Sequence, residues 1–228
     1  MSSESWVIFY RLSPLMTRLL KEPSVIFFDL GKVLVDYDFG LAYNYIKKRS
    51  ALPSDEYDQR IPKVEELNEL YETGTIGTGD FLQGMADLLE FGGSIDSLKL
   101  AWSDIFKPIP ESIDLVSRLA RTHALAIISN TSDAHIQLLE ANYSFFSHFK
   151  ERVYSHLIGS RKPDSKIYEH AMKIMGAKAE NSLFIDDRIE NIHAAADLGW
   201  ATIHFHDGAD LRQALIEAGV GIPSKEPR

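Results

Sequence analysis

Three apolar runs in this chain each deliver polar residues able to do chemistry. Val25-Ile26-Phe27-Phe28 leads into Asp29, Leu125-Ala126-Ile127-Ile128 into Ser129-Asn130, and Leu183-Phe184-Ile185 into Asp186-Asp187. Gly159-Ser160-Arg161-Lys162-Pro163 lies between the last two. Singly, each reads as an ordinary cap or turn. Together, if the runs are parallel strands, they bring three carboxylates, a lysine, a hydroxyl and an amide to one sheet edge. Asp29, Asp186 and Asp187 against Lys162 leave two negative charges in excess, which a divalent cation would neutralise. Magnesium suits carboxylates, waters and phosphate oxygens. With Mg²⁺ and Lys162 in place the edge could accept a phosphate dianion, and one carboxylate could attack phosphorus to form an aspartyl-phosphate. Ser129 and backbone amides after Asp29 would hold the phosphate oxygens.

That chemistry needs a scaffold that aligns strand ends. The continuous apolar runs read as strands buried on both faces, as in a parallel sheet. After Lys107-Pro108-Ile109-Pro110, helix and strand alternate. Helices are expected over 112–122, 132–142, 164–175, 190–198 and 210–218, and strands over 125–128, 153–155, 182–185 and 201–205. Such alternation means a doubly wound, Rossmann-like α/β core. Residues 40–106 differ: helical periodicity appears at 41–49, 64–73, 81–91 and 95–106, punctuated by Pro53, Pro62, Gly74–Gly77 and Gly92-Gly93. The expected division is an N-terminal leader over 1–22, a core from 23–39 and 107–220, a helical insert over 40–106, and a frayed tail over 221–228.

The chain has 228 residues, 45% hydrophobic and 25% charged, in keeping with a globular α/β protein of one core plus an insert. The net charge of −9 argues against nucleic acid as a partner. Without cysteine, disulfides, thiol catalysis and cysteine-held metals are excluded, and a cytoplasmic setting fits. No apolar run approaches a membrane span. Trp6-Val7-Ile8-Phe9-Tyr10 is cut short by Arg11 and makes a poor signal peptide; Met16 is an alternative start.

The order Asp29, Ser129, Lys162-Pro163, Asp186-Asp187, with a helical insert after the first motif, resembles the haloacid dehalogenase-like (HAD) hydrolase superfamily over about residues 24–206. The resemblance implies a Rossmann-like core with a helical cap. It implies Asp29 as nucleophile, Lys162 as charge support, and magnesium held by Asp29, the Gly31 carbonyl and Asp187. Asp186 and Asn191 would stand behind the metal or reach it through water. Ser129 and Asn130 would bind the phosphoryl group. Asp-Leu-Gly-x-Val followed by Asp36 and Asp38, together with Tyr71–Ile76 and Phe81, is similar to the bacterial branch that includes α-glucose-1-phosphate phosphatase. On that likeness, Glu72 and Thr75 are the cap residues expected to touch a small phosphorylated substrate, such as a sugar phosphate.

One position departs from the pattern. Phosphatases of the family usually carry a second aspartate two residues after the nucleophile, as general acid and base; here it is Gly31. Losing such a group costs about 10²–10⁴ in rate. The leaving group must then need little help, as an anomeric alcohol would, or the donor comes from elsewhere. Two rivals also fit the missing aspartate: a metal-free 2-haloacid dehalogenase, against which the Asp186-Asp187 pair argues, and a binding protein that has lost turnover. Elsewhere, His204 and His206 share a strand face but lack a third ligand for zinc. Arg161 and Arg188 could reach a phosphate or pair with acids. Tyr43, Tyr45, Phe81 and Phe91 have the spacing of a core for the insert.

Overall fold

The computed structural model describes residues 22–206 and 209–225. Along the chain run β1 (Val25–Phe28), β2 (Val35–Tyr37), α1 (Phe39–Lys47), α2 (Ser54–Glu72), α3 (Thr78–Leu88), α4 (Ile95–Ser103), β3 (Phe106–Pro108), α5 (Pro110–Leu119), β4 (Ala124–Ser129), α6 (Asp133–Asn142), β5 (Glu151–Tyr154), α7 (Ser155–Ile158), α8 (Ser165–Met175), β6 (Ser182–Asp186), α9 (Ile189–Asp197), β7 (Ala201–His204) and α10 (Leu211–Glu217).

β1 is apolar throughout because both its faces are covered. Ile26 and Phe28 pack with Leu115, Val116 and Leu119 of α5, while Val25 and Phe27 pack with Ile167, Tyr168 and Ala171 of α8. Helices on both faces leave no solvated side for polar alternation. The five parallel strands lie in the order β5-β4-β1-β6-β7. This is the expected α/β fold with an inserted helical region.

The insert has its own core, in which Tyr57, Val64, Tyr71, Phe81, Met85 and Trp102 are buried. Phe81 is fully buried; Tyr43, Tyr45 and Phe91 pack around this core. Helix α2 starts earlier than its periodicity predicts and runs through Pro62. Only a narrow stripe of Tyr57, Val64 and Tyr71 is buried, seven residues apart, so the helical period is hard to see before Val64. The insert is joined to the sheet by a two-stranded antiparallel ribbon that the sequence reading takes for loop and linker. Val35 pairs with Pro108, Asp36 with Lys107 and Tyr37 with Phe106. Strands of three residues are too short to show alternation.

In the described part of the tail the Pro223 carbonyl accepts from Arg118 Nε at 2.7 Å, and Lys225 pairs with Asp114 at 3.1 Å. The leader expected over 1–22, apart from Glu22, lies outside the described residues. No helix among the described residues is long and apolar enough to cross a membrane.

Candidate active site

The chain leaves β1 toward β4 and leaves β6 toward β7, so a crevice opens between the adjacent strands β1 and β6, the usual ligand position in such sheets. Asp29 follows β1, Asp186 ends β6 and Asp187 comes next. One oxygen from each of these carboxylates lies within 4.8 Å of the others. Lys162 enters from the loop before α8, its Nζ 2.8 Å from Asp29 Oδ1 and 2.6 Å from Asp186 Oδ2.

All three of the paired groups are buried, which is tolerable only if their remaining hydrogen-bonding capacity is used. Asp186 meets that demand: Oδ1 accepts the Arg188 N–H at 2.8 Å and Asn191 Nδ2 at 3.0 Å, while Oδ2 takes the lysine. Asp29 Oδ1 also accepts the Leu30 N–H at 2.7 Å. Its Oδ2 has no hydrogen-bond partner among the described residues, and Asp187 pairs with no side chain there. Burial, reinforced by Asp186 and Asp187, pushes Asp29 up to about 8 against the pull of Lys162. Burial and Asp186 also raise Asp187. Burial works against the charge on Lys162, but Asp186 and Asp29 outweigh it and hold its pKa above the usual value. The donor set is all hard oxygen with negative charge in excess, and it fits a magnesium ion.

Supporting contacts fix this edge. The Asn130 amide clamps the Lys162 backbone, Oδ1 accepting its N–H at 2.7 Å and Nδ2 donating to its carbonyl at 2.8 Å. His204 Nε2 lies 2.8 Å from the Asp187 carbonyl, a backbone-holding role for one of the two paired histidines.

The insert closes over the edge. Arg161 reaches Glu69 at 3.0 Å and Glu72 at 3.1 Å, and Asn68 donates to the other Glu72 oxygen at 3.1 Å. Burial nevertheless raises the Glu72 pKa. The Ala134 N–H of α6 donates to the Tyr71 hydroxyl at 3.0 Å, and His135 Nε2 lies 3.1 Å from the Trp102 carbonyl. Gly74, at φ +66°, sits so close to the sheet domain that a Cβ there would lie 2.2 Å from the His156 carbonyl oxygen. Between the two parts is a cavity of about 110 Å³ that Asp29, Ser129, Lys162, Asp187, Glu72 and Tyr37 help to line.

A model of the haloacid dehalogenase-like hydrolases matches residues 23–199. The chain belongs to the haloacid dehalogenase-like hydrolase family. The D-ribitol-5-phosphate phosphatase of Bacteroides thetaiotaomicron is 27% identical over 198 residues, 83% of this chain and 95% of that one. A HAD family enzyme of the same organism, solved with magnesium and inorganic phosphate, superposes with a TM-score of 0.74 at 23% identity, covering 84% of this chain and 98% of that one. The L-2-haloacid dehalogenase of Xanthobacter autotrophicus has the same fold, with a TM-score of 0.58 at 16% identity over 85% of this chain and 81% of that one.

Within this HAD-like chain the expected site residues do not all lie alike. Asp29, Gly31, Ser129, Asn130, Lys162, Asp187, Asn191 and Glu72 line the cavity. Asp186 lies behind it, engaged with Lys162, Asn191 and the Arg188 amide. The Asn130 side chain is committed to Lys162 and so is a positioning group. Thr75 is not brought to the cavity: it is exposed, and its hydroxyl pairs with Thr73 at 2.9 Å. It stands beyond the end of α2, whereas Glu72 is on the helix itself. Of the amides after Asp29, Leu30 donates to Asp29 and Lys32 to the Val35 carbonyl, so neither is open to phosphate. The acidic pair is structural in position: Asp38 caps α1, and Asp36 pairs with Lys32.

Several wall residues escape the sequence reading. Tyr37, Phe39, Phe106, Thr131 and His135 line the cavity, beside Arg161 and Arg188, which the sequence already offers as phosphate contacts or partners of acids. Arg161 turns to cap acids and Arg188 to Glu190. The adjacency of Arg161 and Arg188 to the lysine and aspartate motifs is the only local signal for any of them.

Proposed function

We propose that this HAD-like hydrolase is a cytoplasmic, magnesium-dependent phosphomonoester hydrolase acting on a small phosphorylated metabolite, a sugar or sugar-alcohol phosphate. Residues 40–106 act as its cap over a core formed by 23–39 and 107–220. The observation that carries the reading is Asp29. One of its oxygens is held by Lys162 and Leu30, the other has no hydrogen-bond partner among the described residues, and Asp187 stands within metal-sharing distance. The likeness to a D-ribitol-5-phosphate phosphatase supports the substrate class.

In this mechanism Asp29 Oδ2 attacks phosphorus in line, giving an aspartyl-phosphate and releasing the alcohol. Ser129 and Lys162 take the phosphoryl oxygens, with Asn130 holding Lys162 in place. Glu72, already holding Asn68 and Arg161, keeps lone pairs with which to accept hydroxyl groups of the leaving part. Magnesium, held by Asp29, the Gly31 carbonyl and Asp187 with Asp186 and Asn191 behind them, would screen the repulsion between carboxylate and dianion. Water then cleaves the aspartyl-phosphate while the cap excludes bulk solvent. Because Gly31 supplies no acid, an anomeric phosphate such as α-glucose 1-phosphate is the finer reading. Equal rates on anomeric and primary phosphates would count against it.

The test is hydrolysis of a panel of sugar and sugar-alcohol phosphates with and without Mg²⁺, in wild type and Asp29→Asn. Metal-dependent release of phosphate that vanishes in the variant is expected. Turnover of a 2-haloacid that persists in EDTA would select the dehalogenase rival instead. No turnover by the wild type, with phosphate still bound, would select a binding protein.

A further inference from the structure

Gly31 and Tyr37 form one arrangement. A Cβ built on Gly31 would lie 2.8 Å from Tyr37 Cε1 and 3.3 Å from Cδ1, so the phenol ring fills the space that a side chain at position 31 would need. The ring is held on several sides. Tyr37 pairs with Phe106 across the ribbon, and its ring meets Phe39 and Phe106 edge-on at 5.5 and 6.0 Å. Lys32 Nζ lies 4.6 Å from the ring centroid and donates to the Tyr37 carbonyl at 3.0 Å. The ring is therefore not a flexible side chain that would step aside.

Its hydroxyl makes no hydrogen bond to any described residue, although Tyr37 lines the cavity. The electrostatic neighbours of that hydroxyl are Asp187, Asp29 and Arg188 of the core and Glu72 of the cap, the groups that surround the cavity. Other polar groups there are already engaged. Both Glu72 oxygens are taken by Asn68 and Arg161, and Lys162 is shared between Asp29 and Asp186.

We propose that the Tyr37 hydroxyl donates a hydrogen bond to the leaving oxygen of the substrate, from the space where a carboxyl group at position 31 would stand. This rests on the phosphomonoesterase reading. As the Asp29 oxygen bonds to phosphorus, the bond from phosphorus to the bridging oxygen breaks and its electron pair stays on that oxygen. Tyr37 stabilises the developing alkoxide and keeps its own proton; the alkoxide takes a proton from water, as hydrolysis supplies. A neutral donor of this kind helps less than a proton-transferring acid, which matches a site suited to leaving groups that need moderate assistance.

The experiment compares wild type and Tyr37→Phe, which keeps the ring in the Gly31 notch, on phosphomonoesters whose leaving groups range from p-nitrophenol to a primary sugar alcohol. Loss of a preorganised donor typically costs about 10²-fold, and kcat is expected to fall by about that factor on the primary alcohol ester. The loss should shrink as the leaving group becomes more acidic, giving a steeper dependence on leaving-group pKa, while KM for Mg²⁺ stays constant. Parallel losses on every ester, or none, would overturn the role of Tyr37 while wild-type turnover that disappears in Asp29→Asn leaves the phosphomonoesterase reading intact. A wild type that hydrolyses none of the esters overturns both.

Discussion

The carboxylate edge of the sheet and the cap wall facing it hold their charges by different means. At the edge, Asp29, Asp186 and Lys162 are buried at strand ends or in a clamped loop, and the lone pairs of Asp186 are used by the protein. Across the cavity, Arg161 joins core to cap through Glu69, whose side chain is 67% exposed, and Glu72, 14% exposed. The first arrangement is preorganised for phosphoryl chemistry whatever the substrate. The second combines a solvent-screened pair to Glu69 with a largely buried one to Glu72, and both lie across the seam between core and cap. On the proposed mechanism, chemistry belongs to the clamped sheet edge and selection of the leaving group to the cap wall.

Removing a charge from each side should separate the two. Lys162→Met leaves Asp29 and Asp186 buried without their counter-ion, and breaking such a pair costs about 3–5 kcal/mol; chemical denaturation should show a loss of that order, with no detectable turnover. His135, on the seam, comes next. Burial lowers its pKa to about 4 despite the Trp102 carbonyl, so the unfolded chain takes up the proton first. Its contribution to stability is complete above pH 6.5 and is lost as the pH falls toward 4, by at most about 1.4 kcal/mol per pH unit. Melting curves of His135→Phe should lack that part of the acid slope. Arg161→Met should cost less stability than Lys162→Met, because Glu69 is screened by solvent and Glu72 keeps the Asn68 amide. It should raise KM for the sugar-alcohol phosphate several-fold more than it lowers kcat, because the cap contact and not the phosphoryl site is weakened.

The same contrast sets what the sequence makes legible. Asp29, Lys162, Asp186 and Asp187 stand out because each directly follows an apolar run or sits in a short motif, and chain order is enough to place strand ends together. The parallel sheet follows from that same order of apolar runs. The cap wall follows no local rule. Arg161 meets Glu72 across a long stretch of chain, and the ring in the Gly31 notch belongs to Tyr37, on a three-residue strand with no readable alternation. Thr75 and Glu72 look alike in sequence, yet the end of α2 leaves one exposed and turns the other to the cavity. Pro62 reads as a boundary, but tertiary packing of the Tyr57–Val64–Tyr71 stripe carries α2 through it. Nor does sequence reveal that the Asn130 amide is spent on the Lys162 backbone, since a strand-end asparagine has many ordinary uses.

The most direct measurement is a single-turnover reaction with a phosphate-labelled sugar-alcohol phosphate and Mg²⁺, quenched in acid and mapped by peptide. Transient label is expected on the peptide that carries Asp29, with none after EDTA and none in Asp29→Asn. Phosphate released at the same rate by Asp29→Asn, with no label on that peptide at any time, would contradict the aspartyl-phosphate mechanism.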